Sequence, residues 1–378
     1  MRYPSIDLMR TIAIFIMVVV HFGENLSGVT VPVAGMGAPQ FIFLSGVSYF
    51  LWSRGRKARG TSESELSKIS VRRGLFVFCV GIAFNVFVWL PEDTFNWDVL
   101  TFIGSALLVL GVVRHLPSAI LLAMAITAAL VSPVLREIVA YEEYWPNKYY
   151  EYDFVLSEVV TGYFVAGYFP IFPWIALSLI GYVAARYLLE EPSAEEFRAQ
   201  EPGTEEPVPS IGPIVGIGAV LLATSIGLQL IGRWGGDAIA AQPVAAKLLN
   251  GWRMFPPSLA YMLGMLGATL LLFATMHQWL DRSPARIERW KSLLKVCQTF
   301  SQYSFTIYIV HHVAHLYPLW IYGALYGEET TIFWGNALPL SASLTLAALF
   351  LVVTFWLLRQ LGEKRSFGIE SAMRWLCD

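Results

Sequence analysis

Residues 10–21 read RTIAIFIMVVVH, in which ten apolar residues separate Arg10 from His21. Comparable apolar runs recur along the chain, which is 56% hydrophobic and only 14% charged. Soluble domains carry about 25% charged residues, and runs of roughly 17–25 apolar residues cross a bilayer as helices. The sequence therefore predicts an all-α fold, a polytopic membrane helix bundle.

Ten spans are predicted from these runs. The short apolar segment 154–168 contains Glu158 and is either a re-entrant or interfacial piece or an eleventh, partial helix. Residues 1–378 are predicted to form a single transmembrane domain, with the acidic, proline-containing segment 190–209 as a flexible cytoplasmic loop between two halves. The ten spans are expected at about 5–24, 36–53, 72–90, 97–113, 116–135, 169–189, 211–231, 255–276, 300–323 and 332–358.

The distribution of basic residues predicts that both termini are cytoplasmic. Seven Lys and Arg residues lie between the second and third spans, five between the eighth and ninth, and four after the tenth. With these segments inside, 21 of the 26 basic residues are cytoplasmic, as the positive-inside rule requires. The net charge of −2 provides no overall field for nucleic acid.

Arg10 and His21 share one stripe of the first predicted helix. They are eleven residues apart, which corresponds to about 20° around the helix and about 16 Å along its axis. Asp7, three residues before Arg10, is predicted to pair with and orient it. Snorkelling of Arg10 and packing of His21 are the structural alternatives, but ionisable residues inside a membrane are functional candidates by default.

A second histidine group, His311, His312 and His315, lies in the ninth span at a depth similar to that of His21. We expect His311 or His312 to support His21. The spacing is compatible with a metal site, but no Asp or Glu lies in that span to support one, so no metal is predicted. Ser45, in the small-residue stretch of the second span, is a further supporting candidate.

Several stretches together resemble a known family. FIFLSG (41–46), VRRG (71–74) and YSFTIYIVHH (303–312) are similar to the acyltransferase-3 membrane enzymes. The longer phrases resemble a related branch that contains the catalytic domain of heparan-α-glucosaminide N-acetyltransferase and its bacterial relatives. They are SIDLMRTIAIFIMVVVH (5–21), WDVLTFIGSALLVLG (97–111), YFPIFPWIALSLIGY (168–182), FPPSLAYMLGMLG (255–267) and SFGIESAMRWL (366–376).

The resemblance implies a bacterial-type enzyme of the prokaryotic plasma membrane. Such an enzyme moves an acetyl or other short acyl group from cytoplasmic acetyl-CoA to a hydroxyl or amine of a sugar, sugar-lipid or envelope glycan at the outer face. Arg10 and His21 would be its essential pair. The heparan enzyme has a histidine between its first two helices, whereas the loop GENLSGVTVPVAGMGAP (23–39) has none, which moves the role of base to His21.

Neutral imidazole is a suitable base for acyl transfer, so His21 could deprotonate the acceptor hydroxyl or amine, or it could accept the acyl group itself. The donor phosphates need cations on the cytoplasmic face. Arg72 and Arg73 at the start of the third span, together with Arg10, are the candidates for these phosphates. Orientation by the positive-inside rule is the alternative explanation for such basic residues. Membrane lipids are expected partners, and a homodimer is left open.

Two alternatives remain at this stage. A proton-coupled secondary transporter would also use intramembrane histidines, although the prolines cluster at helix starts rather than at broken helices near the midplane. A non-catalytic membrane receptor is the second alternative.

The aromatic and acidic segment 137–153 is either a membrane-interface belt or a surface for a carbohydrate or lipid headgroup.

Overall fold

The computed structural model describes residues 2–89, 93–190, 209–235, 251–327, 335–362 and 367–378. These residues fold into α-helices joined by short turns. The predicted acidic loop 190–209 lies outside the described residues apart from its two ends. The helices are α1 Pro4–Ser27, α2 Gly37–Lys57, α3 Glu63–Val88, α4 Val99–Val113, α5 Ser118–Ile138, α6 Leu156–Thr161, α7 Ile171–Leu189, α8 Gly212–Trp234, α9 Leu259–Met276, α10 Pro284–Arg289, α11 Lys291–Gln302, α12 Ser304–Tyr326, α13 Leu340–Gly362 and α14 Ile369–Cys377.

Each of the ten predicted spans falls on a helix of this set. Seven helices are long and apolar enough to cross a membrane, namely α1, α3, α5, α7, α8, α9 with its π-helical extension, and α13. The other three are α2, α12 and α4, which has 15 residues. The all-helical, multi-pass character predicted from composition is therefore confirmed, whereas the number of crossings stays a prediction.

The segment 154–168 forms the short helix α6 and a π-helical turn, Gly162–Ala166. Together they cover Leu156–Ala166, about 16 Å at the rise of an α-helix. A bilayer core is about 30 Å thick. This geometry fits the re-entrant or interfacial alternative.

Helix α1 lies in the middle of the bundle. It packs against α2, α9, α11, α12 and α13, while α7 packs between α2 and α5. The most apolar windows of α1 and α7 are 61% and 67% buried, whereas those of α8 and α13 are only 17% buried. The peripheral helices thus present apolar side chains outward, as a lipid environment favours.

Glycines bring α2 and α7 into close contact beside α1. A Cβ atom built on Gly46 of α2 would lie 1.9 Å from the Ser178 carbonyl oxygen, and one on Gly181 of α7 would lie 2.1 Å from the Phe43 carbonyl oxygen. Only glycine permits such an approach of two backbones. The contact fixes the position of the second helix, which carries Ser45 and Ser48.

The first and last described residues lie at the same end of the bundle, here called the Arg10 end; the opposite end is the His21 end. Arg2 donates to the carbonyl oxygen of Gln298, and the Asp378 carboxylate pairs with Arg56 and Arg73. Helices α10, α11 and α14 were not predicted; they lie in the basic segments between the eighth and ninth predicted spans and after the tenth. The predicted even number of crossings would place both ends on one side; that number and the side of the membrane stay predictions.

Candidate active site

A continuous cavity of about 1390 Å³ runs between the two ends of the bundle. Its lining includes Arg10, Trp52 and Arg73 at one end and His21 further along α1. At the His21 end it reaches Tyr150 and other residues of the aromatic segment. The two polar residues that open and close the first apolar stretch therefore border one continuous space.

Arg10 is held by hydroxyl groups from two neighbouring helices. Its Nη1 donates to Ser301 Oγ at 2.6 Å, and its Nη2 donates to Ser48 Oγ at 2.6 Å. Ser45, one turn before Ser48, also lines the cavity, and its Oγ lies 3.0 Å from Ser178 Oγ. The guanidinium group is thereby anchored between α1, α2 and α11.

The expected pair between Asp7 and Arg10 requires correction. Asp7 accepts hydrogen bonds from Arg2, with Arg2 Nε at 2.6 Å from Oδ2. Asp7 lies nearer the start of α1, where Arg2 can reach it, whereas the long side chain of Arg10 extends to Ser48 and Ser301. Spacing along a helix brings two residues to one face but does not decide which partner each side chain selects.

The two arginines that open the third predicted span separate in the structure. Arg73 lines the cavity, and its guanidinium carbon lies 4.6 Å from the centre of the Trp52 ring. Arg72 is exposed, 3.7 Å from Glu65, and is not among the residues that line the cavity. Consecutive helical residues point about 100° apart, so only one of them can face the cavity.

The four histidines of α1 and α12 form one cluster. His21 Nδ1 lies 2.8 Å from His311 Nε2, and the rings of His21 and His312 are 4.5 Å apart between centroids. His315 Nε2 lies 2.8 Å from the amide nitrogen of Asn25. His311 and His312 are fully buried, whereas His21 borders the cavity.

Hydrogen bonds to the backbone define the tautomers of this cluster in its neutral form. His311 Nδ1 lies 3.0 Å from the Ile307 carbonyl oxygen, which can only accept, so this nitrogen carries the proton. His311 Nε2 is then an acceptor, and His21 Nδ1 must be the donor. His21 is left with its lone pair on Nε2. The arrangement resembles the orientation of a catalytic imidazole by a second group at its other nitrogen.

His312 differs from its neighbour because both of its ring nitrogens are buried without a hydrogen-bond partner in the described part of the chain. Its ring packs among Phe84, Trp89 and Tyr308. One ligand nitrogen from each of His21, His311 and His312 lies within 4.8 Å of the others, a spacing that could hold a metal ion. In the hydrogen-bonded tautomers His21 Nδ1 bears a proton, so Nε2 is the nitrogen of His21 that has a lone pair for a ligand.

Sequence reasoning missed an acidic residue beside the histidines. Asp98 at the start of α4 accepts a hydrogen bond of 2.6 Å from the Tyr308 hydroxyl, and both residues line the cavity. The Tyr308 ring lies 5.7 Å from that of His311. The place of Asp98 in the sequence did not indicate this contact, since an Asp directly before a helix is also an ordinary N-cap. Asn25, in contrast, is four residues after His21 and could have been found on the same stripe.

Charge is distributed unevenly along the cavity. The arginines Arg10 and Arg73 line the Arg10 end together with Glu370. The charged residues that line the His21 end are Glu24, Asp93, Asp98 and Lys148. Two arginines and one carboxylate therefore line the Arg10 end, whereas three carboxylates and one lysine line the acidic His21 end.

Aromatic residues surround the His21 end. The segment after α5 folds into two short 3₁₀ turns, Tyr141–Tyr144 and Pro146–Lys148. Trp145 stacks on Phe255 with ring centroids 5.5 Å apart, and Tyr150, Tyr168 and Phe255 line the cavity. Burial raises the pKa of Tyr168 to about 12, so its phenol is neutral at physiological pH. The segment thus provides flat apolar surfaces beside the acidic residues.

A family model described as heparan-alpha-glucosaminide N-acetyltransferase, catalytic, matches residues 2–219. The chain belongs to this family. No curated protein matches the chain.

Membership of this N-acetyltransferase family identifies the protein as a multi-pass membrane acetyltransferase. The matched residues include Arg10, His21, Ser45, Arg73 and the aromatic segment. The histidines of α12 lie beyond the match and join His21 only in the folded chain. The resemblance inferred from the motifs is confirmed for the heparan-α-glucosaminide N-acetyltransferase-like family.

Proposed function

We propose that the protein transfers an acetyl group from acetyl-CoA, entering at the Arg10 end, to an amino sugar at the His21 end, with His21 as the reacting histidine. The single observation that supports this best is the cavity that Arg10 and His21 share. Basic residues concentrate at the Arg10 end, which we assign to the cytoplasm by the positive-inside rule. Acetyl-CoA is available on that side.

Arg10 and Arg73 are the donor-binding residues in this proposal. Arg73 lies near the mouth of the cavity, where the phosphates of the donor would remain, and Arg10 lies deeper, between Ser48 and Ser301. The thioester arm extends from the level of Arg10 towards His21, a distance of about 16 Å along α1. An extended pantetheine chain is roughly as long as these three helical turns.

The acceptor half suits a positively charged sugar. Glu24, Asp93 and Asp98 provide three carboxylates against the single cation of Lys148. A protonated amine is attracted to such a site, whereas a neutral hydroxyl gains little from it. The aromatic rings of Tyr150 and Phe255 offer apolar faces for a sugar ring. These features favour N-acetylation over O-acetylation.

His21 Nε2 accepts a proton from the acceptor nitrogen in the reaction we propose. The acceptor ammonium first gives one proton to a carboxylate of the His21 end. The neutral amine then attacks the thioester carbonyl carbon and gives a second proton to His21 Nε2. The carbon–sulfur bond breaks, and coenzyme A leaves as the thiol after protonation by the His21 imidazolium. In a two-step variant, His21 Nε2 itself attacks the thioester and then passes the acetyl group to the amine. His311 serves both routes because it holds the proton on His21 Nδ1.

Purified protein in detergent with radiolabelled acetyl-CoA tests this proposal. Wild type is expected to bind coenzyme A and to transfer label to glucosamine. His21→Ala should bind the donor equally well but lose turnover by about 10²–10⁴-fold, the usual contribution of a general base. His115→Ala is the matched control, because His115 is an exposed histidine outside the cavity.

Absence of donor binding by folded wild type would refute the proposal. A proton-coupled transporter would then be the better explanation of a cavity that contains histidines. Reconstituted vesicles would show it as solute uptake that depends on a pH gradient and on His21. Label that remains on wild-type protein but not on His21→Ala would favour the two-step route.

A further inference from the structure

A second, smaller cavity of about 260 Å³ lies at the Arg10 end of the bundle. It is formed by the last turns of α2 and α7 and by the residues that follow α4. The charged residues that line it are Arg54, Lys57, Arg114, Arg186 and Glu190. A single water needs roughly 10–15 Å³ of such space, so the cavity can hold a polyatomic ion.

This cavity is separate from the candidate active site. Trp52 lines the large cavity and Arg54 the small one. Two residues along a helix correspond to about 200° around its axis. The two cavities therefore lie along different sides of α2, and a ligand of one does not fill the other.

The small cavity has more positive than negative charge among the described residues. Glu63 pairs with both Lys57 and Arg114, at 2.5 Å and 3.0 Å. Arg186 donates to the carbonyl oxygens of Leu116 and Arg114 and to hydroxyl groups, and the described residues give it no ion pair. Carbonyl oxygens accept hydrogen bonds but do not neutralise a guanidinium charge.

Arg114 adds a buried positive charge to this cavity. Arg114 is 3% exposed, and its Nε is buried with no acceptor in the described part of the chain. Its two terminal nitrogens are already occupied by Gly111, Glu63 and Ser67. The Nε atom has almost no accessible surface, so Arg114 contributes positive charge to the lining of the cavity rather than a free donor.

We propose that this cavity is a binding site for a phosphate group. Arginine matches the geometry of phosphate oxygens and is less strongly hydrated than lysine. The group can come from the headgroup of an anionic lipid or from a soluble phosphate. The first source is close by, since α5 starts beside the cavity at Ser118 and exposes Ile120 and Leu122. The site does not depend on the proposed acetyl transfer.

Two ligands distinguish the sources. Full-length protein in detergent is melted with increasing inorganic phosphate, against chloride at equal ionic strength, and separately with micelles containing phosphatidic acid. A ligand that binds the folded state raises Tm with concentration. Arg54→Gln is expected to weaken binding about tenfold, the effect of one lost charge-assisted hydrogen bond. Lys57→Gln, a half-exposed position, is a second variant that leaves the helix contacts in place.

Arg289→Gln is the matched control, since Arg289 is exposed on α10 at the same end and lines neither cavity. Stabilisation of wild type and control, but not of Arg54→Gln, by inorganic phosphate supports a soluble source. The same pattern with phosphatidic acid alone supports a lipid. If neither ligand stabilises wild type, or if Arg54→Gln and Lys57→Gln respond as wild type does, the proposal is wrong.

Discussion

Replacement of His311 provides the sharpest test of the histidine cluster. His311 Nε2 accepts the proton of His21 Nδ1 over 2.8 Å, so His311→Leu removes the group that holds His21 with a free Nε2. A neutral hydrogen bond is worth about 0.5–1.5 kcal/mol. At about 1.4 kcal/mol per factor of ten, we expect kcat to fall by about 2- to 13-fold, far less than for His21→Ala.

Two further variants, His311→Gln and His312→Leu, show whether His311 acts by orienting His21 through a hydrogen bond or only by packing. The side-chain oxygen of Gln can accept the His21 proton, so His311→Gln should recover most of the lost rate. His312→Leu is the control, because His312 is equally buried and contacts His21 but makes no hydrogen bond through its ring nitrogens in the described structure. The assay is transfer of label from acetyl-CoA to glucosamine at saturating substrate. Equal losses for His311→Leu and His312→Leu, with no rescue by Gln, would refute the reasoning.

Three further predictions follow from the packing, the histidines and the aromatic segment. Gly46→Ala should lower stability by about 1–3 kcal/mol or more, since its Cβ meets the Ser178 carbonyl oxygen. The control Gly55→Ala lies in an open part of the same helix and should leave stability unchanged. Thermal melts compare the two variants. Prolonged treatment with a metal chelator should leave acetyl transfer unchanged if the histidines act as hydrogen-bonded bases; loss of activity restored by one metal ion would contradict this. Burial raises the pKa of Tyr168 to about 12, against about 10 in the unfolded chain. The contribution of its neutral phenol to folding stability is therefore complete below about pH 10 and is lost as the pH rises from there to about 12. Tyr168→Phe should show a shallower loss of Tm over that range.

The membrane-spanning helices could be predicted from the sequence because lipid imposes a strong rule on long apolar runs. The short helices of the basic segments, α10, α11 and α14, could not be predicted. Helices α11 and α14 are amphipathic and short, and the Glu370 carboxylate fixes α14 by accepting from the amides of Phe305 and Thr306 on α12. Such a contact between residues about 65 positions apart leaves no periodic signal in the sequence.

The candidate site, like the fold, could be predicted only in part from the sequence. The stripe from Arg10 to His21 followed from helical geometry, and both residues line the cavity. His311 was expected near His21, and its Nε2 lies 2.8 Å from His21 Nδ1. Ser301, which binds Arg10, and Asp98, which accepts from Tyr308, did not follow from the sequence, because only the packing of separate helices brings them to the site. Asp7 shows the limit of local spacing, since it pairs with Arg2.

The acidic end of the large cavity has a consequence for product release. An amino sugar arrives as a cation and is attracted by Glu24, Asp93 and Asp98. Once acetylated, the same nitrogen is part of a neutral amide, so the attraction is lost. The chemical step that we propose thus lowers the affinity of the site for what it has just made. Product inhibition should accordingly be weak, because a neutral amide is released more readily from this end of the cavity than the cationic amine is.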